Sequence, residues 1–178
     1  MRRQSIVLRI MIEPRIIVSI ADQRLQLYEN GKVTMDVMVA TAKNGPGELS
    51  GSECTPRGKH IIRAKIGDNC PIYTVFIDRR PTGEIFSEQL MAEQPNRDWI
   101  LTRILWLSGQ EVGKNRLGNV DTMRRYIYIH GSPDHEIFGQ PNSHGCVRMK
   151  NADLVCLFGK VKVGTSVLIL EEPLRKNT

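Results

Sequence analysis

His130-Gly131 and, twelve residues further on, Ser143-His144-Gly145-Cys146-Val147-Arg148 place a thiol, two imidazoles and a glycine turn in one short segment. A thiol that attacks a carbonyl needs a base to form thiolate, backbone donors to hold the oxyanion, and a turn that exposes the sulfur. His130 ends the run Arg125-Tyr126-Ile127-Tyr128-Ile129, whose alternation and β-branched and aromatic content predict a strand with His130 at its mouth. Gly131 is then expected to turn the chain away. Gly145 has no Cβ, so the amides of Gly145 and Cys146 are expected to converge on a small anion as an oxyanion hole.

The other cysteines read differently. Cys156 lies in the apolar run Leu154-Val155-Cys156-Leu157-Phe158, where a thiol simply packs, and Cys54 and Cys70 sit beside prolines with no histidine nearby in the chain. The four cysteines show neither paired metal-ligand spacing nor disulfide-scaffold density, so a reduced chain is expected. His60, His130, His135 and His144 lack matching carboxylates or thiolates at ligand spacing, and neither a metal nor a cofactor is expected.

At these residues the chain resembles the L,D-transpeptidase catalytic domain family of bacterial cell-wall enzymes, the YkuD type. Thr55-Pro56-Arg57-Gly58-Lys59-His60 is similar to that family's Thr-Pro-x-Gly turn, and residues 16 to 41, with Asn30-Gly31 as a hairpin turn, are similar to its opening strands. The resemblance covers residues 14–171, leaving 1–13 as an N-terminal extension and 172–178 as a tail. It is looser from Gly83 to Gly118, where substrate selectivity is expected. It implies a mainly β fold, a β-sandwich or mixed sheets with one or two short helices, and a substrate drawn from peptidoglycan stem peptides or muropeptides.

The resemblance also implies roles. Cys146 is the nucleophile, His130 its base, and the carbonyl of Gly131 fixes the His130 tautomer. Ser143 and His144 orient the turn, with a second base as the alternative for His144. By spacing alone, Arg148, two residues after Cys146, is expected to meet a substrate carboxylate or stabilise the intermediate, a surface ion pair being its alternative, and Tyr128, two residues before His130, to line the same cleft. The implied reaction is acyl transfer at the L,D-peptide bond of a stem tetrapeptide through a thioester. Water as the acceptor would make the enzyme an L,D-carboxypeptidase, and an idle wall-binding module is a third reading. The local sequences of papain-like and caspase-like proteases are absent around Cys146.

Patterning predicts mostly short strands: residues 16–20, 25–28, 32–40, 60–66, 72–77, 125–129 and 166–170. Trp99, Ile100, Ile104 and Leu107 fall near one helical face and predict a helix over 98–108, with a strand as the alternative. A second helix is expected over 152–158, capped by Asn151 and ended by Gly159. The stretch from Lys43 to Pro56, rich in glycine and proline, is expected to be a loop on the active-site side.

At 178 residues the chain is the size of one domain with a self-sufficient core. The net charge of +6 is spread over small clusters at Arg2-Arg3, Arg79-Arg80, Arg124-Arg125 and Arg175-Lys176. These read as solvated surface rather than a nucleic-acid footprint, and a basic cleft would attract an acidic peptide. No apolar stretch reaches the roughly 20 residues of a membrane span. Met1-Arg2-Arg3 followed by Ile6-Val7-Leu8 begins like an export signal, but Arg9 and Glu13 interrupt it. A cytoplasmic monomer is the expectation, with the periplasm as the alternative compartment.

Overall fold

The computed structural model describes residues 13–174, so the export-signal reading and the clusters at Arg2-Arg3 and Arg175-Lys176 lie outside the described residues. The strands are β1 (Arg15–Ser19), β2 (Arg24–Glu29), β3 (Lys32–Ala40), β4 (Gly58–Ile66), β5 (Thr74–Ile77), β6 (Arg80–Ile85), β7 (Ile100–Gly109), β8 (Tyr128–Gly131), β9 (Val147–Met149) and β10 (Ser166–Leu170). Among the described residues two helices accompany them, α1 (Glu88–Glu93) and α2 (Asn151–Lys160). The mainly β expectation holds.

The strands form one mixed sheet that closes on itself. Its order runs β4-β10-β1-β2-β3-β9-β8-β7, and β7 pairs back with β4 to complete a barrel-like ring. The hairpin β5–β6 branches off, because β7 outruns β4 and pairs with β5 through Ile100 and Leu101. Strand alternation turns one side chain in two toward a common interior. Ile16, Leu25, Val39, Ile62, Leu105, Ile129, Val147 and Val167 thus come from every strand of the ring into one buried cluster, joined by Leu154, Leu157 and Phe158 of α2. Each such side chain contributes about 1.5–3 kcal/mol on leaving water.

The helix expected over 98–108 is instead β7. Thr102 takes a left-handed φ of 72°, and the pairing of β7 with β8 slips between Leu101 and Ile104. That bulge breaks the two-residue alternation and leaves apolar residues at spacings that imitate a helical face. The strand expected over 125–129 is displaced, since Tyr126 is left-handed (φ 56°) and the strand starts at Tyr128. His130 and Gly131 therefore lie within β8, not at its mouth or in a turn. A left-handed Tyr73 likewise delays β5 from residue 72 to Thr74.

Strands β6 and β9 and helix α1 carry patterns too short or too polar to read in advance. Asn151 is the first residue of α2, not its cap. Its side chain turns inward to the Ser132 carbonyl (2.8 Å), to Asp134 (3.0 Å) and to Thr102 (2.5 Å), and the helix runs one residue past Gly159.

Candidate active site

The parallel pairing of β8 with β9 builds the site. It sets Ile129 opposite Val147 and His130 opposite Arg148, and the same register carries Tyr128 opposite Cys146. Ile129, Val147 and Met149 point into the barrel core. By alternation, Tyr128, His130, Cys146 and Arg148 share the other face, where they line a cavity of about 270 Å³. The hairpin β5–β6 reaches this cavity with Asp78 and Arg79, and the segment before β7 contributes Asp98. A larger groove of about 830 Å³ runs along β1 and β10 past Arg15, Lys59 and Lys162, and among the described residues no thiol or imidazole lines it.

The Cys146 sulfur accepts the Tyr128 amide at 3.3 Å, and the thiol points to the Tyr126 carbonyl at 3.5 Å. Burial pushes the thiol up to about 12, with the Asp98 charge reinforcing the rise. The Tyr128 amide and the charges of Arg148 and Arg125 pull the other way without reversing it. At neutral pH the thiol therefore keeps its proton.

His130 is buried, with Nδ1 at 2.8 Å from the Gly131 carbonyl. A carbonyl only accepts, so Nδ1 carries the hydrogen and Nε2 is left with the lone pair of a base. Burial holds the ring down to about 4, hence neutral, despite the opposing pull of the Gly131 carbonyl. The resting site pairs a neutral thiol with a neutral imidazole.

Gly131 is constrained by close approach: a Cβ there would come within 2.3 Å of Asn151 Oδ1 and 2.8 Å of the Leu101 carbonyl. The bonds of Asn151 to Ser132 and Thr102 thus brace the backbone that holds His130.

The turn that carries Cys146 is tied in three ways. Ser143 Oγ accepts the Gly145 amide at 3.2 Å and donates to the Cys146 carbonyl at 2.6 Å. The Gly145 amide is thus committed within the turn, which corrects the expectation that it joins Cys146 in an oxyanion hole. Gly145 has a φ of 129°, left-handed space that suits glycine. Buried Thr55 donates from Oγ1 to the Gly145 carbonyl and accepts the Ala42 amide, both at 2.9 Å, anchoring the 43–56 loop beneath the turn. Arg125 clamps the same loop through the carbonyls of Gly47, Glu48 and Cys54.

The remaining expected residues fall around the rim. Arg148 is ion-paired with Asp98 (2.6 Å) and Glu136 (3.4 Å), and it is buried rather than on the surface where its ion-pair alternative was expected. His144 is exposed on the rim, its Nδ1 3.9 Å from Asp98. The hydroxyl of Tyr128 accepts from Arg79 Nη1 at 3.0 Å. Arg79, Asp98 and Arg125 escaped the sequence reading: Arg79 sits in a dipeptide that reads as solvated, and Asp98 in a segment misread as helical. The one available signal was the basic doublet itself.

The family model described as YkuD, L,D-transpeptidase catalytic domain, matches residues 13–169. The protein described as probable L,D-transpeptidase YbiS of Escherichia coli (strain K12) is 29% identical over 176 residues, covering 98% of this chain and 50% of that protein. The chain thus spans about half the length of that curated relative. Among solved structures, an Enterococcus faecium L,D-transpeptidase superposes with a TM-score of 0.55 at 17% identity, covering 90% of this chain and 50% of that one. L,D-transpeptidase 3 from Mycobacterium tuberculosis does so with 0.55 at 14% identity, covering 89% and 62%. At these identities the two structures speak to the fold alone.

Proposed function

The chain belongs to the L,D-transpeptidase catalytic domain family, and from that premise we propose that it transfers the acyl group of the L,D-peptide bond in a peptidoglycan stem tetrapeptide through a thioester on Cys146. The observation that carries this reading is the shared cavity of Cys146 and His130, with His130 Nδ1 fixed by the Gly131 carbonyl.

The steps follow from that arrangement. Substrate drives water from the cavity, and as the sulfur approaches the peptide carbonyl its proton passes to His130 Nε2. The sulfur–carbon bond forms, with the Cys146 amide as our assigned donor to the oxyanion. The tetrahedral intermediate then expels the terminal D-alanine as an amine that takes the proton from His130, leaving the thioester. An acceptor amine, deprotonated by the same nitrogen, attacks the thioester carbonyl and releases the thiol. Because the resting pair is neutral, His130 serves as base and then acid without having to start as imidazolium.

The test is product analysis by mass spectrometry with a tetrapeptide muropeptide. A cross-linked dimer, or exchange of the terminal D-alanine for another D-amino acid, supports transfer to an amine. Tripeptide alone assigns water as the acceptor and makes the enzyme an L,D-carboxypeptidase. Turnover by the Cys146→Ala variant at the wild-type rate would overturn the thioester route.

A further inference from the structure

We propose that Arg79, at the tip of the β5–β6 hairpin, recognises a carboxylate of the peptide substrate at the mouth of the catalytic cavity. The proposal deepens the peptide acyl-transfer reading above and rests on it.

The argument begins with the turn. Ile77 pairs with Arg80, leaving Asp78 and Arg79 as a two-residue loop, and both are left-handed, with φ of 48° and 65°. Such a turn suits Asn-Gly or Gly-Gly, and a side chain as large as arginine is strained there. The strained residue is held by contacts across the cavity. Its guanidinium lies 4.7 Å from the centroid of the Tyr126 ring and 5.0 Å from that of Trp106, and it donates to the Tyr128 hydroxyl. A planar cation packed on rings is preorganised, so little side-chain entropy remains to be lost when it binds.

Charge points the same way. Of the arginines around the site, Arg148 is neutralised by Asp98 and Glu136, and Arg125 is committed to backbone carbonyls. Among the described residues Arg79 forms no ion pair, and one of its five N–H donors reaches a protein acceptor. It lines the cavity that holds Cys146 and His130. The group that matches a preorganised guanidinium with donors in reserve is a carboxylate. A stem tetrapeptide brings such groups at its C-terminus and on its diaminopimelate side chain.

The test compares wild type, Arg79→Gln and Arg79→Lys on three tetrapeptides: the free acid, the C-terminal carboxamide, and the form amidated on the diaminopimelate carboxyl. The expected result is a KM for the free acid raised ~10- to 100-fold in Arg79→Gln, with a smaller change in kcat and partial rescue in Arg79→Lys. On one amidated peptide the wild-type and Gln enzymes should converge, and that peptide identifies the carboxylate. An equal loss on all three substrates would overturn the proposal and make Arg79 a prop for Tyr128. Binding of the same peptides to Cys146→Ala, with and without Arg79→Gln, separates the two readings. If no peptide binds and none is turned over, the acyl-transfer reading and this one fall together; binding or turnover that is indifferent to substrate charge removes Arg79 alone.

Discussion

Tyr128 and Cys146 face each other across the parallel β8–β9 pair, the amide of Tyr128 donating to the Cys146 sulfur at 3.3 Å. Two residues along the same strand, the backbone of Gly131 fixes His130. A single four-residue strand therefore positions both the thiol and the imidazole, one through an amide and one through a carbonyl.

Because burial holds the thiol up to about 12, Cys146 should be a slow nucleophile until a substrate is bound. Site-resolved alkylation with iodoacetamide at neutral pH should modify exposed Cys156 before Cys146, and the Cys146 rate should keep rising as pH is raised toward 12. Faster labelling of Cys146 at neutral pH would mean a preformed thiolate–imidazolium pair.

Gly131→Ala should disable the site more than the fold. The added methyl meets Asn151 and the Leu101 carbonyl, so the strand must shift and the carbonyl on His130 moves with it. We expect about 1–3 kcal/mol of destabilisation from overpacking. The drop in kcat should be roughly 100-fold, the size expected of a displacement near 1 Å. Denaturant titration and steady-state kinetics measure the two separately.

Thr55→Val keeps the shape but removes a hydroxyl that bonds the Gly145 carbonyl and the Ala42 amide in a buried place. Leaving those groups unpaired should cost about 1–3 kcal/mol and lower kcat through a looser nucleophile turn. Thr55→Ser should restore most of both. Equal stability of the Val and wild-type proteins would show that the loop is anchored elsewhere.

Two histidines should make stability depend on pH. Burial lowers both His60 and His130 to about 4, against an unperturbed value of 6.5. Between these values the unfolded chain binds protons that the folded protein refuses, so stability is full above 6.5 and is lost as pH falls toward 4. Each histidine should contribute up to about 1.4 kcal/mol per pH unit in that window. Unfolding free energies of wild type and His130→Gln near pH 5 should differ in slope by roughly that amount, and parallel slopes would contradict the burial argument.

Cys146 and His130 were legible as a candidate pair because a short motif brings them out, and a spacing of two residues along a strand places Tyr128 with His130 and Cys146 with Arg148. Their meeting depends on a parallel register between strands of four and three residues, and no local pattern encodes a register that short. Thr102 hid β7 by breaking alternation, and Asn151 resembled a cap while serving as a buried brace. Arg79 was hidden for a different reason. Its turn contains no glycine, and a basic doublet looks the same whether it faces water or an aromatic pair.

Ring closure leaves β6, among the described strands, as the strand with a single neighbour. An open border is an invitation for another chain to add a strand. Here it carries Arg80, Pro81, Gly83 and Glu84, largely exposed, so the border has a missing donor, a weak strand former and charges of both signs. The hairpin that brings Arg79 to the cavity thus also guards the barrel's loose end against edge-to-edge aggregation.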